Sequence, residues 1–145
     1  MTRQPLAQSV TAKIEEEGKS GREAWKSGDL AKAERHFLSA WDALPEPKLE
    51  FDYAQLLSSG IAEFYRDTHQ FEKAWHWIRI MRTAYGPEPN PYPEFLAGTI
   101  AFESGELDDA YGLFRPLYER YGSRPFEGRD KKYLDLVRRR IGEQT

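Results

Sequence analysis

Apolar residues recur along this chain at helical spacing, in three copies of one arrangement. After a turn come Gly28, Leu30, Ala33, Phe37 and Ala40, then Phe71, Ala74, Ile78 and Met81, then Gly105, Leu107, Ala110, Phe114 and Leu117. In each copy a bulky residue follows the alanine by four positions and another residue follows that by three, which places all of them on one helix face. Twelve residues before each alanine stand Gly21, Ala62 and Gly98, small enough for a preceding helix to let its neighbour come close. Each copy therefore predicts two helices packed as a hairpin, and three hairpins in succession predict an all-α stack.

The breaks between the copies set the boundaries. Residues 1–8 carry no periodicity and predict a flexible arm. A first helix is expected from near Ser9 to Ser27 and its partner from Leu30 to Ala43, with Pro45-Glu46-Pro47 ending the unit. Pro47 suits the opening turn of the next helix, since its missing N–H would be unpaired there anyway. That helix carries Phe51, Ala54, Ile61, Ala62 and Tyr65, turns at Asp67–Gln70, and meets a second one marked by Phe71 to Tyr85. The breakers of Gly86-Pro87-Glu88-Pro89-Asn90-Pro91 separate the third hairpin, in which Pro116 predicts a kink costing ~3 kcal/mol. A last helix with Tyr133, Leu134, Val137 and Ile141 has one apolar side and reads as a cap over the stack's open end. The expected layout is one domain over 9–145, with repeats at about 9–45, 48–86 and 91–122 and a capping helix at about 128–142.

These residues resemble the tetratricopeptide repeat family, helix–turn–helix units of about 34 residues. Gly21, Gly28, Ala33, Phe37, Ala40 and Pro45 stand at the family's mutual spacings in the first unit, and Gly98, Gly105, Ala110 and Phe114 in the third. The second unit departs from the pattern, with His69 where the turn glycine usually sits and Gly86 in place of the closing proline. The resemblance covers about residues 10–122 and implies a short right-handed superhelix whose inner wall is formed by the first helix of each unit. Carried over position by position, that wall holds Glu15, Gly18, Arg22, Trp25 and Lys26, then Leu56, Ser59, Glu63, Arg66 and Asp67, then Tyr92, Phe95, Thr99, Phe102 and Glu103. Of these, Arg22, Trp25, Lys26, Glu63, Arg66, Asp67, Tyr92, Phe95, Phe102 and Glu103 are the expected partner contacts, because aromatic and arginine side chains dominate binding energy at desolvated interfaces. The lysine and asparagine clamp with which some relatives hold a terminal carboxylate has no counterpart, its places being taken by Gly18, Arg22, Ser59, Glu63, Tyr92 and Leu96.

Composition narrows the chemistry. Without cysteine there are no disulfides, thiolate metal sites or cysteine nucleophiles, which fits a reducing, cytoplasmic setting. The three histidines, His36, His69 and His76, do not stand at metal-ligand spacing, so no metal or cofactor is expected. Glu15-Glu16-Glu17 and Asp108-Asp109 lie near helix starts, where acids favour the dipole without catalysis. No phosphate-cradling glycine loop or serine elbow occurs, and the chain reads as no enzyme. Residues 115–140 carry a net +5 in a chain whose total is -3, a gradient able to steer a charged partner but too small a basic excess for a nucleic-acid binder. No run approaches the ~20 apolar residues of a membrane span. The expected partner is therefore another protein. The resemblance makes it a bacterial toxin neutralised by this chain as its immunity protein or, alternatively, a client polypeptide held by an assembly chaperone or adaptor.

Overall fold

Runs with apolar residues every three or four positions fold, in a computed structural model that describes residues 5–143, into seven α-helices and two short 3₁₀ turns, with no strand among the described residues. The helices are α1 (Gln8–Lys26), α2 (Leu30–Asp42), α3 (Asp52–Asp67), α4 (Phe71–Tyr85), α5 (Pro91–Glu103), α6 (Leu107–Tyr121) and α7 (Lys131–Glu143). The 3₁₀ turns are Lys48–Glu50 and Arg124–Phe126. Half of the expected N-terminal arm, residues 1–4, lies outside the described residues. None of the described helices is long and apolar enough to cross a membrane. The chain divides into two compact units, residues 1–61 and 62–145, and the boundary falls inside α3 rather than at a proline-rich break.

One turn geometry recurs in both units. Between α1 and α2 the N–H of Asp29 donates to the carbonyl of Ala24 at 2.9 Å; between α3 and α4 Gln70 donates to Tyr65 at 2.8 Å; between α5 and α6 Glu106 donates to Ala101 at 2.9 Å. The residue before each donor takes the left-handed conformation: Gly28 at φ 87°, His69 at φ 59° and Gly105 at φ 86°. Hydroxyls one position earlier close the same turn, Ser27 on Ala24, Thr68 on Phe64 and Ser104 on Ala101, each donating to a carbonyl of the last helical turn. These bonds satisfy carbonyls that a helix end leaves open, and the left-handed residue makes them reachable. The middle hairpin keeps the geometry without the glycine.

In the first unit α1 and α2 meet at Gly21, where a Cβ would stand 2.6 Å from Phe37 Cε1, and Trp25 packs edge-on to the same ring at 6.2 Å. Ala33 and Ala40 are fully buried on α2. Pro47 does not open α3 as its sequence position predicts. It precedes the turn Lys48–Glu50, and α3 starts only at Asp52. Two contacts account for the delay: the Lys48 ammonium donates to the carbonyls of Trp41, Asp42 and Leu44, neutralising the C-terminal end of α2, and Phe51 is buried on extended backbone.

In the second unit α5 is apolar on nearly every side and buried from Phe95 to Ala101, as a helix enclosed by its neighbours must be. Asn90 caps it, accepting from the N–H of Tyr92 at 2.9 Å. Helix α6 packs on α5 through Phe114 over Gly98 and runs uninterrupted through Pro116 to Tyr121. Phe126, in a stretch whose glycine and proline predict only a break, is 4% exposed and sits between Phe95 at 5.3 Å and Phe114 at 5.4 Å. Tyr133 of α7 adds a fourth ring at 5.9 Å from Phe95 and 5.7 Å from Phe114. Offset and edge-on ring pairs at such separations contribute about 0.5–1.5 kcal/mol beyond their buried area.

Candidate partner-binding surfaces

Ten residues were expected to face a partner, and the structure treats them in two ways. In the first unit Arg22 and Lys26 are exposed on α1, and Trp25 is half-buried by its contact with Phe37. Gly18, one turn before Arg22, leaves room for the guanidinium to lie along the helix, where Nη1 is 3.2 Å from the position of a Cβ. Tyr53 near the start of α3 donates to Glu15 of α1 at 3.0 Å. Burial and then the Glu15 carboxylate push the Tyr53 hydroxyl above its ordinary value. Leu56, one turn further along α3, is 64% exposed.

The second unit uses its share of the ten residues internally. Phe95 is 4% exposed within the aromatic cluster, so most of its ring is spent on packing. Phe102 is partly buried, edge-on to Tyr133 at 5.1 Å. Glu103 receives the Lys132 ammonium at 2.6 Å, and that cation also lies over the Phe102 ring. Arg66 donates through Nε to Asp67 at 2.8 Å and through Nη1 to the buried hydroxyl of Thr99 at 3.0 Å. Tyr92 stacks on Tyr85 at 6.2 Å and donates to Glu63 at 3.2 Å. Burial first, and Glu63 second, raise its hydroxyl above the ordinary value. The face read as an open wall is thus closed here by residues of α7 and the segment before it.

Spacing missed these covering residues because it reports which side of a helix a residue occupies, not what arrives there from a distant segment. Tyr133 was legible as an apolar position, whereas nothing local marks Arg129. Its guanidinium lies over the rings of Tyr92 and Phe95 at 5.6 and 5.5 Å and stands 3.8 Å from Glu63. Pro91, Tyr92, Phe95, Pro125 and Arg129 line a crevice of about 150 Å³.

Each paired-acid segment has a carboxylate engaged by a basic side chain. Glu17 binds His36 at 2.7 Å and Lys13 at 3.1 Å, and the bond to His36 is the main cause that holds its carboxyl below the ordinary value. Asp108 is almost fully exposed and receives Arg140. No group of three or more His, Asp or Glu side chains among the described residues stands close enough to hold a metal ion. No protein-family model, curated protein or solved structure matches the chain.

Proposed function

We propose that this chain is a non-enzymatic protein-binding module of tetratricopeptide-like helical hairpins, and that it meets a folded partner through the α1 and α3 surface of its first unit. The observation that carries the reading is Leu56, 64% exposed on α3, the helix whose Tyr53 is tied to Glu15 of α1. On α1, Arg22 and Lys26 follow Glu15 by seven and eleven residues and so share its side of the helix. They are exposed and form no ion pair among the described residues. An exposed apolar side chain on α3 and two exposed cations on α1 supply, within one unit, the mix of apolar centre and polar rim that interfaces use.

A folded partner is favoured over a bound peptide because, within the second unit, the residues that would line a peptide groove are paired with one another and with α7. Neutralisation of a toxin by an immunity protein is the biological form that fits a folded partner, and a chaperone or adaptor holding a client segment is the alternative. The test is affinity capture of a partner by the wild-type chain, followed by binding measurements on Arg22→Glu, Leu56→Asp and the double variant. An immunity-type complex buries about 1,600 Å² and binds at nanomolar affinity or better. Each single variant is expected to weaken it by more than about tenfold while helicity is unchanged. Equal affinity of the double variant and the wild type removes this surface from the reading.

A further inference from the structure

The crevice at Pro91, Tyr92, Phe95, Pro125 and Arg129 belongs to the second unit, whereas Arg22 and Leu56 belong to the first. At about 150 Å³ it is well below the roughly 300–1,000 Å³ of small-molecule sites, so it has room for one side chain and not for a cofactor. Its walls are two proline rings and two aromatic rings, and Tyr85 stacked on Tyr92 extends the aromatic surface beyond it. The remaining wall is the Arg129 guanidinium, whose side chain is 38% exposed. Glu63, with which it forms an ion pair, is 3.8 Å away, beyond hydrogen-bonding range, and Glu63 already accepts from Tyr92. A guanidinium carries five N–H donors arranged to match a carboxylate, so this one retains capacity for a second acid.

We infer that the crevice is a docking point for a partner protein's aromatic side chain followed directly in sequence by an acidic residue, the ring entering between the prolines and the carboxylate pairing with Arg129. The wall fixes both halves of that description. Flat apolar rings select a ring by edge and face contacts. Because Arg129 is part of the wall itself, the acid must come close to the inserted side chain, and the next residue, one ~3.8 Å step of backbone away, is the nearest in sequence that can supply it.

The full chain, labelled with nitrogen-15, would be titrated with three end-blocked hexapeptides while backbone amide and arginine Nε–H shifts are followed by NMR. These are acetyl-Gly-Ser-Phe-Glu-Ser-Gly-amide, the same peptide with Gln for Glu, and the same peptide with Ala for Phe. The Phe-Glu peptide should shift Tyr92, Phe95 and Arg129 and bind about threefold more tightly than the Phe-Gln peptide, the size of a partly exposed charge pair. The Ala-Glu peptide should leave these signals unmoved. In Arg129→Gln the Phe-Glu and Phe-Gln peptides should bind alike. The proposal is overturned if no peptide shifts the crevice signals, if Glu and Gln bind equally in the wild type, or if the preference for Glu persists in Arg129→Gln. None of these outcomes bears on Arg22 or Leu56, so this docking point and the proposed function stand or fall separately.

Discussion

Gly98 and Phe114 are in contact through the volume that a Cβ would occupy: an ideal Cβ on Gly98 would stand 2.6 Å from Phe114 Cδ1 and 2.8 Å from Cζ. Phe114 is fully buried among Phe95, Phe126 and Tyr133, so its ring has nowhere to retreat. Alanine favours a helix by about 1 kcal/mol over glycine, yet overpacking a tight core costs about 1–3 kcal/mol or more, and here the second effect wins. Gly98→Ala is therefore expected to lower stability in urea unfolding. Gly21→Ala, which meets the half-buried Phe37, should cost less, and Gly60→Ala, whose added methyl meets nothing within 4 Å, should raise stability by up to about 1 kcal/mol.

The turn between α3 and α4 offers the opposite case. His69 holds φ 59°, the conformation that Gly28 and Gly105 adopt in the other two hairpins, and a non-glycine residue there carries about 1–2 kcal/mol of strain. Its ring gains an edge-on contact with Phe71 at 5.4 Å, and glycine loses more entropy on folding, which together offset part of the relief. His69→Gly should still stabilise by about 0.5 kcal/mol, whereas His69→Ala, which keeps the strain and loses the ring contact, should destabilise. Thermal unfolding of the two variants side by side checks the difference in sign.

The helices, the turns and the close approaches at Gly21 and Gly98 were legible in the sequence because each is set within a few residues or by a repeated spacing. The late start of α3 was not, since it depends on Lys48 reaching back to the carbonyls of α2 and on Phe51 being buried before the helix begins. The same limit governs the partner surface. Arg22 and Lys26 are as exposed as their positions imply. Arg66 stands on the expected side of α3, but that side is where Thr99 takes its Nη1 donor. Substituting Arg66 would consequently report on stability, and it is a poor probe of binding.

Acid should weaken the first unit through Glu17. Its carboxyl is held below the ordinary value of 4.5, chiefly by the hydrogen bond from His36, with Lys13 assisting against the effect of burial. A carboxylate whose pKa is lower folded than unfolded contributes stability that is fully present above about 4.5 and is lost as pH falls through the folded value. The loss of melting temperature caused by Glu17→Gln should accordingly be larger at pH ~7 than at a pH below the folded value, where both chains carry a neutral side chain at this position. An equal loss at both pH values would show that the bond to His36 does not favour the ionised form.

Phe126 and Leu56 separate what holds the molecule together from what it presents. Phe126 lies outside every α-helix yet touches Phe95 and Phe114 and packs near Tyr118, so its removal leaves a hole that rings fixed by other elements cannot close. Phe126→Ala should cost about 3–5 kcal/mol, enough to threaten a domain of ordinary stability. Leu56 is 64% exposed, and Leu56→Ala should change unfolding free energy by no more than about 0.5 kcal/mol. Urea unfolding measures both. A large stability loss in Leu56→Ala would mean that this side chain is retained for packing, and the surface proposed for partner binding would lose its apolar anchor.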